Sequence, residues 1–132
     1  MDHELIKKIL LNLEESETAY TKLKTVAENL GLNFDDAPDE AFVYNCELIA
    51  NKKLIIDENG TYKIGRKFGE PSKIIFFPIG FRLTAEGHEY LSAIKKPAIW
   101  EKTKKIAGDA GLGTMIEAAK IVVSEAIKNA IT

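Results

Sequence analysis

The sequence predicts an α+β domain, and two observations carry that prediction. Over roughly the first fifty residues, apolar side chains recur at helical spacing; from Leu54 onward they fall in short runs broken by Asn-Gly, Gly and Pro. The stretch FRLTAEGHEYLSAI, residues 81–94, then carries a short apolar strand directly into another helix.

The first helix spans residues 2–15, with Leu5, Ile6, Ile9, Leu10 and Leu13 as its apolar stripe and Asp2 as its N-cap. A short second helix covers about residues 22–30, with Leu23, Val26, Ala27 and Leu30 on one face and Gly31 as a stop. A third is expected over residues 37–53. There Ala41, Phe42, Tyr44, Cys46, Leu48 and Ile49 give a wide buried face, and Asp39 and Glu40 suit the first turn.

Residues 54–56 then read as a strand, 57–60 (DENG) as a turn and 61–64 as the returning strand. Residues 65–72 read as an exposed loop. Residues 73–83 read as an apolar strand that Pro78 and Gly80 bulge, bend or push to an edge. At the next helix Thr84 is the expected N-cap, and Gly87, Tyr90, Leu91 and Ile94 form one face. Gly87, lacking a side chain, would let another backbone come close. Residues 98–107 are helical, with Ile99, Trp100, Thr103 and Ile106 on one side. Three glycines break the chain over residues 108–113, and a last helix runs over 114–131.

Three helices followed by a β wing are the winged helix-turn-helix-like arrangement. The expected division is a winged-helix-like domain over residues 1–96, with its wing over 54–83. A C-terminal helical extension over 97–132 then either packs back or pairs with a second copy.

Charge is unevenly placed. The net charge of −2 hides an acidic start, where residues 1–50 hold 4 Lys/Arg against 11 Asp/Glu. Residues 51–105 reverse this, with 12 Lys/Arg against 6 Asp/Glu. A pI near 5.7 is not that of a general nucleic-acid binder. The lone Cys46 excludes an internal disulfide and suits a reducing compartment. The first residues form a charged amphipathic helix rather than an apolar leader, and no apolar run reaches bilayer length. The expected location is therefore cytoplasmic.

Three segments carry a family resemblance: DHELIKKILLNL (2–13), YNCELIANKKLI (44–55) and RLTAEGHEYLSAIKKPAIW (82–100). Together they resemble the domain-of-unknown-function family 2513, common in phages and prophages of Gram-positive bacteria. The last segment includes the family's Leu-Thr-x-x-Gly-His core. Two departures stand out: Asn45 where histidine is usual, and Lys53 where glycine is usual. The resemblance implies a fold and a mobile-element setting, not an activity.

Catalytic constellations are lacking. His88 has only His3 as a fellow histidine and no metal-ligand spacing, so a bond to backbone or an acidic neighbour is expected. Cys46 reads as a buried, inert thiol. The run Asp35, Asp36, Asp39 and Glu40 reads as a solvated capping turn. GDAGLG (108–113) lacks the Lys-Ser/Thr ending of a phosphate loop and reads as a linker.

The expected function is therefore non-enzymatic binding, with no cofactor, metal, membrane or small-molecule ligand. Duplex DNA, or a DNA-associated protein, would meet the basic wing. Lys52, Lys53, Lys63, Arg66, Lys67 and Lys73 would neutralise phosphates, and Asn45 would read bases from the third helix. Asp39, Glu40 and Glu47 on that helix oppose this, which leaves a protein-interaction module, acting in host interference or anti-defence, as the alternative. A homodimer would use the stripe Ile116, Ala119, Val123, Ala126, Ile127 and Ala130 of the last helix.

Overall fold

The computed structural model describes residues 1–35, 37–69 and 73–131, and within them the fold is α+β. Helix α1 (His3–Glu15) starts where predicted, with the Asp2 carboxylate accepting from the Leu5 amide at 3.0 Å. Its Ile6, Ile9, Leu10 and Leu13 are buried. Strand β1 (Thr21–Lys22) is only two residues long and precedes helix α2 (Leu23–Asn29). The periodicity of so short a strand cannot be seen in sequence. Gly31, at φ +71°, follows α2 and takes the left-handed conformation that favours glycine.

Helix α3 (Glu40–Asn51) begins three residues later than expected, capped by Asp39 through the Phe42 amide. Its buried side is Phe42, Asn45, Cys46, Ile49 and Ala50. Tyr44 is not part of it, being 53% exposed.

The β region differs most from expectation. Strand β2 (Ile55–Asp57) and the turn after it are present, but residues 61–64 do not return as a strand. Instead strand β3 (Gly65–Phe68), placed where an exposed loop was expected, pairs with strand β4 (Lys73–Phe76). The expected strand over residues 73–83 is split at Pro78. Its first part is β4; its second, strand β5 (Gly80–Leu83), belongs to another sheet. The bend that Pro78 and Gly80 predict is thus a change of sheet.

That other sheet is antiparallel with the order β1-β5-β2. Phe81 of β5 lies opposite both Thr21 and Asp57, and Leu83 lies opposite Ile55. Phe81 and Leu83 are buried, while Arg82 points outward beside the Tyr20 ring.

Helix α4 (Ala85–Ile94) leads into α5 (Pro97–Ala107) and α6 (Leu112–Ile131). Pro97 is at the first helical position of α5, where its missing N–H costs nothing. Trp100 fixes α5 to α1, its Nε1 donating to Glu4 Oε1 at 3.1 Å, with Lys7 and Lys104 over its ring. Ile106, expected on the packed side of α5, is exposed. Trp100, Ala107, Leu112, Met115 and Ala119 join the same hydrophobic cluster as Ile9, Phe42 and Phe81. Residues 97–119 therefore contribute to the core of the first three helices. No helix of the described residues is long and apolar enough to cross a membrane.

Candidate functional site

The Leu83–Thr84–Gly87 junction sets the frame on which the candidate surface is built. The Thr84 hydroxyl accepts from the Gly87 amide at 3.0 Å and donates to the Lys53 carbonyl at 2.7 Å. The Thr84 amide donates to the Leu54 carbonyl at 2.9 Å. A Cβ on Gly87 would land on that same carbonyl oxygen, so only glycine lets α4 approach the turn after α3 this closely. Lys53, in that turn, has φ 58°, a left-handed conformation that is costly for a residue with a Cβ. This explains why a glycine suits the position.

From this frame the chain runs through β2 and the Asp57 turn to the β3–β4 hairpin. Asp57 is buried and holds the turn together through the Asn59 amide (2.8 Å), the Thr61 amide (2.9 Å) and the Thr61 hydroxyl. Burial pushes its pKa up, but the hydrogen bonds from Thr61, Asn59 and Gly60 outweigh this and hold the carboxyl below its ordinary range.

Residues paired across an antiparallel ladder share a face, and faces alternate along each strand. The hairpin register pairs Arg66 with Ile75 and Phe68 with Lys73. These four form one face, and all are exposed; Phe68 is 50% and Ile75 58% accessible. The other face carries Lys67, Ile74 and Phe76 and turns toward the body. Phe76 meets the Phe34 ring at 4.6 Å, and Lys67 Nζ lies 2.9 Å from Glu47 Oε2 of α3. Between α3 and the hairpin lies a cleft of about 470 Å³, lined by Glu47, Asn51, Tyr62, Lys63 and Arg66 among others.

The structure sorts the predicted cations. Lys63, Arg66 and Lys73 have no carboxylate partner among the described residues. Lys53 stays on this side, its Nζ 5.4 Å from the Tyr62 ring centroid. Lys67 is committed to Glu47. Lys52 turns away to lie beside Gly113 of α6 and lines the groove between α4 and α6.

Asn45 is a correction. It is 2% exposed, accepts from the Asp2 amide at 3.0 Å and donates to the Ala41 carbonyl at 2.7 Å. It anchors α1 on α3 and presents no edge to a base. Its neighbours in the helical pattern, Phe42 and Cys46, were the signal that it faces inward. Tyr44, Tyr62, Phe68 and Ile75 are the surface residues that periodicity alone did not single out. For Phe68 and Ile75 the missing information was the β3–β4 register.

The second predicted surface is also divided. Ala119 is buried against the protein's own core, and Ile116 and Val123 are half-buried, so the first half of α6 packs on α4 and α5. Ala126, Ile127 and Ala130 remain exposed. Cys46 is fully buried, and burial pushes its thiol far above the usual range, with the Glu47 charge adding to the shift. His88 is exposed, with its Nδ1 3.9 Å from Glu14 Oε2, an acidic neighbour as expected. Asp35 pairs with Lys24 and Asp39 caps α3, while Asp36 lies outside the described residues.

No curated protein and no solved structure matches the chain. The family model described as "Hypothetical protein (DUF2513)" matches residues 1–113, and the chain belongs to that family.

Proposed function

We propose that this is a winged-helix protein that binds duplex DNA, without enzymatic activity, through the outer face of its β3–β4 hairpin. The fold reading rests on topology. The strand returning before α4 lies between a short strand from between the first two helices and the strand after α3, which gives the antiparallel order β1-β5-β2 expected of a winged helix. The hairpin is then an elaboration of the wing.

The observation that carries the binding reading is the outward face itself: Arg66 and Lys73 beside Phe68 and Ile75, with Lys63 nearby. Cations without carboxylate partners are suited to phosphates, and each contact releases counterions. Apolar side chains between them suit a minor-groove wedge or sugar contact. Helix α3 is a poor reader, because Asn45 is buried and Glu40 and Glu47 would meet phosphates. The binding is therefore expected to be led by the backbone, tolerant of sequence and strongly salt-dependent. The phage or prophage setting and a cytoplasmic location belong to the same proposal, and the flanking genes test the first.

Fluorescence anisotropy with a labelled duplex across a salt series tests the reading. Binding should appear at low salt, and the double variant Arg66→Ala, Lys73→Ala should flatten the dependence of log K on log salt by about 2. Absence of binding at low salt removes the DNA reading. A protein-interaction module is the second reading, favoured by the exposure of Phe68 and Ile75 inside a basic rim, the pattern of an interface hot spot. Under it, Phe68→Ala would abolish binding to the partner protein and salt would matter little.

A further inference from the structure

We infer that the cleft between α3 and the β3–β4 hairpin is a nucleotide site. Its walls differ in kind. Helix α3 supplies Glu47 and Asn51, a carboxylate and an amide but no cation. Opposite it, the chain from Tyr62 to Lys67 supplies Lys63, Arg66 and Lys67. Ile64, Ile74 and Phe77 add apolar surface. The charges do not balance. Glu47 is the one carboxylate among the described lining residues, and Lys67 already holds it at 2.9 Å. Lys63 and Arg66 have no carboxylate partner among the described residues. A second hollow, of about 490 Å³, adjoins the cleft across Asn51, Tyr62 and Lys63 and adds the cation of Lys53.

Each part of this lining argues against a simpler ligand. An apolar molecule would leave Lys63 and Arg66 unused. Inorganic phosphate would leave Tyr62, Ile74 and Phe77 unused. A duplex is too broad for a cleft of about 470 Å³ and offers it no unpaired base. A nucleotide engages every kind of surface present: its phosphate the cations, its π-face Tyr62, and its polar ring edge Asn51. Glu47 sets the orientation. Its charge repels a phosphate at the α3 wall, so the base lies toward α3 and the phosphate toward Lys63 and Arg66. Lys53 Nζ reaches the Tyr62 ring, 5.4 Å from its centroid, from the second hollow and does not line the first. Tyr62 is therefore open to a base in the cleft. This chemistry has two sources, a free nucleotide and an unpaired nucleotide within a strand.

Isothermal titration calorimetry of the full chain with thymidine monophosphate, a short oligothymidylate and inorganic phosphate tests the inference. Both thymidine probes should bind, and inorganic phosphate should bind at least about tenfold more weakly. Tyr62→Ala and Lys63→Ala should each weaken thymidine binding at least about fivefold with unchanged circular dichroism. Tyr62→Phe, which keeps the ring, should retain it, and Lys102→Ala, which removes an exposed cation of α5, should leave it unchanged. An oligothymidylate bound about tenfold more tightly than the monophosphate identifies an unpaired strand as the source; equal affinity identifies a free nucleotide. The inference does not rest on duplex binding: a chain that binds these probes but no duplex keeps the nucleotide site and loses the duplex reading. Absence of binding by both thymidine probes at millimolar concentration overturns it. So does inorganic phosphate bound as tightly as the monophosphate, or binding that Tyr62→Ala and Lys63→Ala leave undiminished.

Discussion

The Leu83–Gly87 junction and the β3–β4 hairpin are both places where apolar strand residues meet charged ones, yet they are held in opposite ways. At the junction, the Thr84 hydroxyl, the Thr84 amide and the bare α-carbon of Gly87 all contact the turn after α3. On the outer face of the hairpin, Arg66, Phe68, Lys73 and Ile75 are left to solvent. Leu83, Thr84 and Gly87 have one geometry and no spare surface, so their identities are dictated by folding. The residues on the hairpin's outer face are held by no such contacts, so their identities are available to a partner. The junction lies inside the segment RLTAEGHEYLSAIKKPAIW, whose resemblance therefore bears on the fold and says little about activity.

Breaking the junction should give the largest effect. Gly87→Ala would gain helix propensity in an open helix, by about 1 kcal/mol. Here the new methyl meets the Leu54 carbonyl, backbone that cannot swing aside. Overpacking of this kind should cost about 3 kcal/mol net and lower the melting temperature by about 10 °C. Calorimetry checks it, and a neutral result would mean that α4 is not clamped to the α3–β2 turn.

This contrast also explains how far the sequence could be read. The α1 stripe and the Asp2 and Thr84 caps are local, set by residues within about a turn of one another, and helical spacing alone puts Gly87 on the inner face of α4, although the Leu54 carbonyl that requires a glycine there is distant in sequence. The larger errors involve distant partners. Asn45 looked like a surface amide until Asp2, 43 residues away, supplied its partner. Residues 73–83 looked like one strand because their destinations, β3 for one part and β1 and β2 for the other, are fixed by tertiary pairing. The hairpin's outward face depends on register, which a one-residue slip would invert.

The Asp57 turn links the two regions and should give an intermediate, pH-dependent effect. Its pKa is lowered on folding, so its stabilisation is fully present above the unfolded value of about 3.9 and is lost as pH falls through the folded one. Asp57→Asn should cost about 1–2 kcal/mol at neutral pH, through weakened hydrogen bonds to Thr61 and Asn59. The gap between variant and parent should then shrink in acid. Urea titrations at pH 7 and below pH 4 measure it.

A smaller effect, of opposite sign, is expected at Lys53. The left-handed backbone there costs a lysine about 1 kcal/mol relative to glycine. Lys53→Gly should therefore stabilise the fold by about 0.5 kcal/mol, after allowing for the loss of the Tyr62 contact and the extra freedom of an unfolded glycine. The same change should slightly weaken DNA binding if Lys53 contributes to the basic surface. Stability and affinity moving in opposite directions would mark Lys53 as a position where strain is retained for its charge.

The smallest effect on stability should come from the hairpin's outer face, and it bears most directly on the comparison. Phe68 and Ile75 are large, and burying such side chains ordinarily contributes about 1.5–3 kcal/mol each. Half-exposed and outside the hydrophobic core cluster, they should contribute little of that here. Phe68→Ala and Ile75→Ala should each change unfolding free energy by less than about 0.5 kcal/mol, as surface substitutions do. Phe76→Ala is the internal control: its ring packs on Phe34, so it should destabilise the hairpin although it belongs to the same strand as Ile75. If Phe68→Ala or Ile75→Ala cost as much as Phe76→Ala, both faces would be structural and the outer one would lose its claim to a partner. If only Phe76→Ala is costly while Phe68→Ala and Arg66→Ala reduce binding, the hairpin divides into a face that holds it to α3 and a face that recognises something else.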